Sequence, residues 1–207
     1  MIFQLGVLLF SVIIHEISHG AVAEQLGDPT AREAGRLTLN PLKHLDFFGS
    51  FILPLSLFFI SGGNMIFGWA KPVPYNPLNL KNPKSGGGLI AIAGPLSNIL
   101  LAVIFGVLLR TLPFWAGYAI EPLSQFFNLV VFINVALAVF NLVPLPPLDG
   151  SKILFSILPD TAYAFRNFLE RYGLMLLLFF IFFGFQLIVP IIFFLFKLIA
   201  GSSTELF

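Results

Sequence analysis

The 207-residue chain contains no cysteine, which excludes a disulfide framework, a thiolate zinc site and a cysteine nucleophile together. Charge is scarce too: Asp, Glu, Lys and Arg make up 10% of the residues, where a soluble domain carries about a quarter. So little charge cannot coat a surface that faces water, and the apolar surface must face lipid. The 11 Lys and Arg against 10 Asp and Glu form no basic stripe that could neutralise a phosphate backbone, which argues against nucleic acid as a partner. No internal repeat and no hydrophilic insert interrupts the chain, so one membrane-embedded domain over residues 1–207 is expected.

Apolar residues, at 57%, are abundant instead. They gather in runs at 2–26, 47–67, 89–112, 123–143 and 174–199, each near the length of about twenty residues that crosses hydrocarbon as a helix. The first run has neither a positive n-region nor a small-residue cleavage site and is read as a retained span. The second contains Pro54 and the turn signal Ser61-Gly62-Gly63-Asn64, so it either crosses the bilayer or enters and returns on the same side, and the charge division below favours re-entry. Between these two runs, Arg32 to Leu39 alternates loosely and ends at Asn40-Pro41, which suggests a short β-hairpin or strand edge. Residues 68–88, with Pro72, Pro74, Pro77, Pro83 and Gly86-Gly87-Gly88, read as an extended connection. The expected fold is an all-α polytopic membrane protein: four transmembrane helices, a re-entrant segment and that short strand element.

The chemistry-bearing residues begin inside the first run. His15 and His19 are four positions apart, so on a helix their imidazoles lie one turn apart on one face and can clasp one ion. Glu16 is placed to act as general base on a water at the open side of that metal. An HExxH sequence arises by chance in soluble proteins, but an unused charge near the centre of a membrane helix costs about 2.5–3.5 kcal/mol. That cost favours a metal site. Catalytic zinc usually takes three protein ligands. Glu24 lies about 13 Å along the helix axis from His15, at roughly 1.5 Å per residue, too far to share the ion. His44 sits in a polar connection and reads as a solvated or headgroup-facing residue, with ligation as its lesser alternative. Asp149 follows Pro144, Pro146 and Pro147, which forbid regular helix, and precedes Gly150, which permits a tight bend. Broken backbone at membrane depth survives where protein or a water-filled cavity satisfies it, so this segment is a site candidate. An interfacial helix terminator followed by a turn fits its position equally well.

HEISHG at 15–20, AGPLSN at 93–98 and NLVPLPPLDG at 141–150 resemble, in order, the three signature segments of the site-2 protease family of intramembrane metalloproteases. The resemblance implies that His15, His19 and Asp149 hold one zinc ion and that Glu16 is the catalytic carboxylate. Asn98 and Asn141 would line the site as candidates for binding substrate backbone or an oxyanion. Each also has a packing role open to it; packing with Gly94 and Ser97 is preferred for Asn98, a site role for Asn141. Many family members carry a PDZ domain or a CBS pair, and this sequence has no insert long enough for either, so it resembles a minimal member.

The function implied is zinc-dependent endoproteolysis in or next to transmembrane segments of a membrane-protein substrate within the lipid bilayer. A silent metal-bound scaffold could dispense with Glu16, and an ion transporter would be supported by inverted repeats, which are not seen. With the second run re-entrant, Arg32, Arg36, Lys43, Lys71, Lys81, Lys84, Lys152, Arg166 and Arg171 share one side and Arg110 and Lys197 the other. Nine against two places the N-terminus outside a cell membrane, those loops in the cytoplasm and the zinc nearer the cytoplasmic face. The sequence specifies no oligomeric state.

Overall fold

The computed structural model describes residues 2–44, 52, 56, 59 and 71–201. Helix α1 (Ile2–Gln25) leads to the short α2 (Thr30–Glu33). Beyond residue 71 come α3 (Pro83–Thr111), α4 (Ile120–Asn141), α5 (Asp149–Ile157), α6 (Tyr163–Phe179) and α7 (Phe185–Ala200). A π-helical turn, Phe180–Gly184, joins the last two. Four stretches are long and apolar enough to cross a membrane: Phe3–Gln25, Pro83–Phe114, Gly117–Asn141 and Asp160–Ala200. They correspond to the four spans expected, and large apolar side chains such as Phe182, Phe183, Leu187 and Phe194 stand exposed on them, as lipid-facing residues do.

The contacts give the directions of these helices. Phe3 packs on Phe126 and Ser11 bonds Asn134, so α1 and α4 run parallel. His15 meets Asn98 while His19 meets Ile90, so α3 runs antiparallel to α1. Phe132 packs on Phe196 and Phe140 on Phe185, which makes α7 antiparallel to α4. The apolar core lies where α3, α4 and α7 meet, around Val131, Val135, Ala102, Leu112 and Phe196. At one end of the bundle Arg110 bonds the carbonyl of Leu198. At the other, Lys84 pairs with Asp160, and Asp28 bonds both Asn76 and Asn79.

The expected strand element is replaced by helix and turn. Asp28 accepts from the backbone N–H and hydroxyl of Thr30, which opens α2, and Gly35 at φ +63 turns the chain so that Arg36 N–H reaches Ala31 O. No strand occurs among the described residues. The alternation from Arg32 to Leu39 was too loose to outweigh these local bonds. Residues 83–88 also differ from the extended connection expected. Asn82 caps α3 by accepting from Ser85 N–H, and Pro83 starts it, so Gly86 to Gly88 lie inside the helix. Their missing side chains permit close packing: a Cβ on Gly88 would fall 2.3 Å from Ser156 Oγ of α5.

Of the expected re-entrant segment at 47–67, all but residues 52, 56 and 59 lie outside the described residues. The residues flanking it are hydrogen-bonded to each other, Lys71 N–H to His44 O at 2.8 Å.

Candidate metal centre

The centre is assembled from three elements around the inner half of α1. His15 and His19 project from α1 and are 6% and 8% exposed, values far below those of the lipid-facing side chains on the same helix. Asp149 arrives from the opposite part of the sequence. After α4 ends at Asn141, the prolines keep residues 142–148 out of helix, and Asp149 opens α5 with its carboxylate turned inward. The bend expected at Gly150 is therefore a helix start. A Cβ on Gly150 would fall 2.3 Å from Leu142 O, so glycine here lets the new helix lie against the turn that precedes it.

Three atoms converge. His15 Nε2 lies 3.0 Å from Asp149 Oδ2, His19 Nε2 lies 3.1 Å from the same oxygen, and the two imidazole nitrogens are 3.1 Å apart. The far nitrogens are engaged elsewhere: His19 Nδ1 donates to Ile90 O at 2.7 Å, and His15 Nδ1 lies 2.6 Å from Asn98 Oδ1. A carbonyl oxygen only accepts, so each Nδ1 carries the hydrogen and each Nε2 presents a lone pair. Two such lone pairs and a carboxylate oxygen repel one another unless a cation, metal or proton, lies among them. A two-nitrogen, one-oxygen donor set of this kind fits zinc. Gly94 of α3 supplies the room, because a Cβ there would fall 2.5 Å from His15 Nε2 and His19 Nε2.

Glu16 completes the group, with its ligand atom within 4.8 Å of those of His15 and His19. Its Oε2 accepts from the Val73 N–H at 2.9 Å, so the extended segment 71–76 crosses beside the centre and holds the carboxylate in place. Lys152, one turn into α5, lies 3.5 Å from Asp149 Oδ1 and over the Tyr75 ring. Asn98 is fully buried and uses both ends of its amide, with Oδ1 on His15 and Nδ2 on Asn134 at 2.8 Å. Asn141 is half-buried at the end of α4 and donates to Leu137 O of its own helix. His44 is buried in its loop, where it bonds Thr38 O, and Glu24 pairs with Arg32; neither joins the cluster. Sequence reasoning did not single out Val73, Lys152, Ser11 or Asn134. For Ser11 and Asn134 a signal was present, since both are polar residues inside apolar runs.

A multi-pass helical bundle carrying an HExxH helix, with an inward carboxylate completing a nitrogen-and-oxygen donor set, defines the membrane-embedded class of zinc metalloprotease. The chain belongs to peptidase family M50, the site-2 proteases. That family's model matches residues 116–184, which include the Asn141–Gly150 segment. YwhC of Bacillus subtilis, named as a candidate zinc metalloprotease, is 40% identical over 178 residues, 83% of this chain and 76% of that protein. Rip2 of Mycolicibacterium smegmatis, named likewise, is 30% identical over 148 residues, 69% of this chain and 52% of that protein. A third protein so named, MJ0611 of Methanocaldococcus jannaschii, is 30% identical over 145 residues, 69% of this chain and 63% of that protein. No solved structure matches the chain. The protein is thus a zinc-dependent metalloprotease with several membrane-spanning helices.

Proposed function

We propose that this protein is an intramembrane endopeptidase that hydrolyses peptide bonds in or next to transmembrane segments of other membrane proteins. His15, His19 and Asp149 hold its single zinc ion, and Glu16 is its general base. The observation that carries this reading is the convergence of three lone-pair atoms about 3 Å apart, between helices that span the membrane. A zinc ion held by these three side chains would supply Lewis-acid chemistry, making water more acidic and the scissile carbonyl more electrophilic. Glu16 takes the proton of that water and returns it to the departing amine, and its bond from Val73 N–H keeps the carboxylate aimed while it does so. Asn98, with both amide ends engaged, acts by holding His15. Asn141 is the better candidate to contact substrate backbone.

The substrate is a transmembrane protein whose helix unwinds locally, since a carbonyl inside a regular helix is already hydrogen-bonded and shielded. The whole machinery forms one domain, set in the cell membrane. Its metal lies nearer the cytoplasmic face, because the loops at 27–44 and 71–82 meet at the cation-rich end of the bundle.

The test is a proteomic comparison of membrane-protein stubs between cells carrying the parent and the Glu16→Gln form. Truncated transmembrane fragments present only with the parent are expected; identical fragment sets would contradict the proposal.

A further inference from the structure

We propose that Asn98, Asn134 and Ser11 form a side-chain relay that fixes the tautomer and orientation of His15, making Asn134 and Ser11 positioning residues of the metal centre. The proposal rests on the assignment of His15 as a zinc ligand.

The relay is anchored on a group that cannot reverse. Val130 O only accepts, and Asn134 Nδ2 lies 2.9 Å from it and 2.9 Å from Ser11 Oγ. Those contacts turn the Asn134 nitrogen toward Val130 and Ser11, leaving Oδ1 to face Asn98. Asn98 Nδ2 donates to that oxygen at 2.8 Å and lies 3.4 Å from Ser11 O. With its nitrogen held, Asn98 presents Oδ1 to His15 Nδ1 at 2.6 Å. His15 then carries its hydrogen on Nδ1 and keeps the Nε2 lone pair for the metal. Reversing any one amide would set donor against donor or acceptor against acceptor. Asn98 and Asn134 are 0% exposed and Ser11 3%, so bulk solvent cannot repair such a mismatch.

His19 achieves the same state through one backbone carbonyl, Ile90 O, with no side chain between. Only the His15 tautomer can therefore be altered from a distance without touching a ligand. Packing alone does not account for the arrangement, because an amide has the same shape in either orientation. What distinguishes the two orientations is which end donates.

The experiment measures zinc affinity by chelator competition, and imidazole tautomers by 15N resonance, in the full chain purified in detergent. Asn134→Leu removes the group that orients Asn98. Zinc affinity is expected to fall about 10–100-fold and the His15 signal to shift toward the Nε2–H form. Ser11→Ala leaves Val130 O in place and should weaken binding less. Asn98→Asp keeps the acceptor for His15 but sets an oxygen against Asn134 Oδ1, so its affinity should fall, though less than that of Asn98→Leu, which removes the acceptor as well. The double variant Asn98→Asp with Asn134→Leu should recover what Asn134→Leu loses.

Parent-like affinity in Asn134→Leu, or a double variant as weak as Asn134→Leu, overturns the relay. If Asn134→Leu does not fold, Asn98→Asp and Asn98→Leu make the distinction: the first keeps the acceptor for His15 and binds zinc more tightly than the second, and equal affinities overturn the proposal. His15→Ala separates the two levels of inference. Unchanged zinc binding in that variant refutes the ligand assignment itself, whereas loss there with normal binding in Asn134→Leu refutes only the relay.

Discussion

The residue that stands closest to both imidazoles across the helix interface is Gly94, where the centre requires the absence of a methyl group. A Cβ at that position would lie 2.5 Å from both ligand nitrogens, and real contacts do not come so close. Gly94→Ala is therefore expected to abolish zinc binding while helix content, read by circular dichroism, stays unchanged; a zinc-replete alanine variant would show that α3 stands farther from α1 than described. The same contact explains the AGPLSN segment in physical terms. Gly94 makes room for the imidazoles, and Asn98 follows one turn later with the bond to His15. His15, His19 and Glu16 stood out as candidates because HExxH has a fixed spacing on a helix, whereas the position of Asp149 fitted a helix terminator equally well and only the family resemblance pointed to it as a ligand. Asn134 was harder to see. Its worth depends on contacts with residues 36 and 123 positions away, which no local pattern reports. Hydrogen bonds between membrane helices average about 0.6 kcal/mol, too little for stability alone to account for a buried three-residue network beside a ligand.

Among the elements, the segment 71–80 is the least regular and the most consequential, because its Val73 N–H holds Glu16. Asp28 ties it down. This fully buried carboxylate accepts from Thr30 N–H and hydroxyl, Asn76 N–H at 2.6 Å and Asn79 Nδ2 at 2.7 Å. Burial pushes its pKa up, but the hydrogen bonds from Thr30, Asn79 and Asn76 outweigh that and hold it below the usual carboxylate range. The stabilisation is accordingly complete above the unfolded pKa of about 3.9 and lost as pH falls through the lower folded value. Asp28→Asn sets an amide N–H against a donor and should cost roughly 1–3 kcal/mol near neutral pH. The thermal midpoint of the parent should drop toward that of the variant as pH falls below about 4. A constant gap between the two at all pH values would deny Asp28 this role. Such a brace is invisible in sequence, since the partners lie about fifty positions apart. The prolines and glycines of 68–88 suggested an extended connection, but Asn82 and Pro83 start α3 and the glycines lie inside it, packed against a neighbouring helix. In place of the expected strand, the local bonds of Asp28 and Gly35 supply a helix and a turn.

The whole molecule has two unlike ends. The directions of α1, α3, α4 and α7 bring residues 27–44, 71–84 and 152–160 together, and Arg110 with Lys197 lies at the far end beside Leu198. This is the charge division that orients membrane proteins with the cation-rich end in the cytoplasm. Because native cysteine is absent, single exposed cysteines at Glu33, Lys81 and Tyr118 can be labelled without background by an impermeant thiol reagent. Glu33→Cys and Lys81→Cys should react from the cytoplasmic side of sealed vesicles and Tyr118→Cys from the other; opposite reactivity of the first two would break the proposed topology. The same parallel course of α1 and α4 carries His15, His19 and Asp149 to one depth, on which the account as a whole depends. The most direct test is to measure zinc content and cleavage of a transmembrane peptide together in the purified parent, Asp149→Ala and Glu16→Gln. One zinc and cleavage are expected in the parent, lost zinc in Asp149→Ala, and in Glu16→Gln full zinc with cleavage reduced at least about 100-fold. Full zinc in Asp149→Ala, or parental cleavage by Glu16→Gln, would contradict the proposed roles.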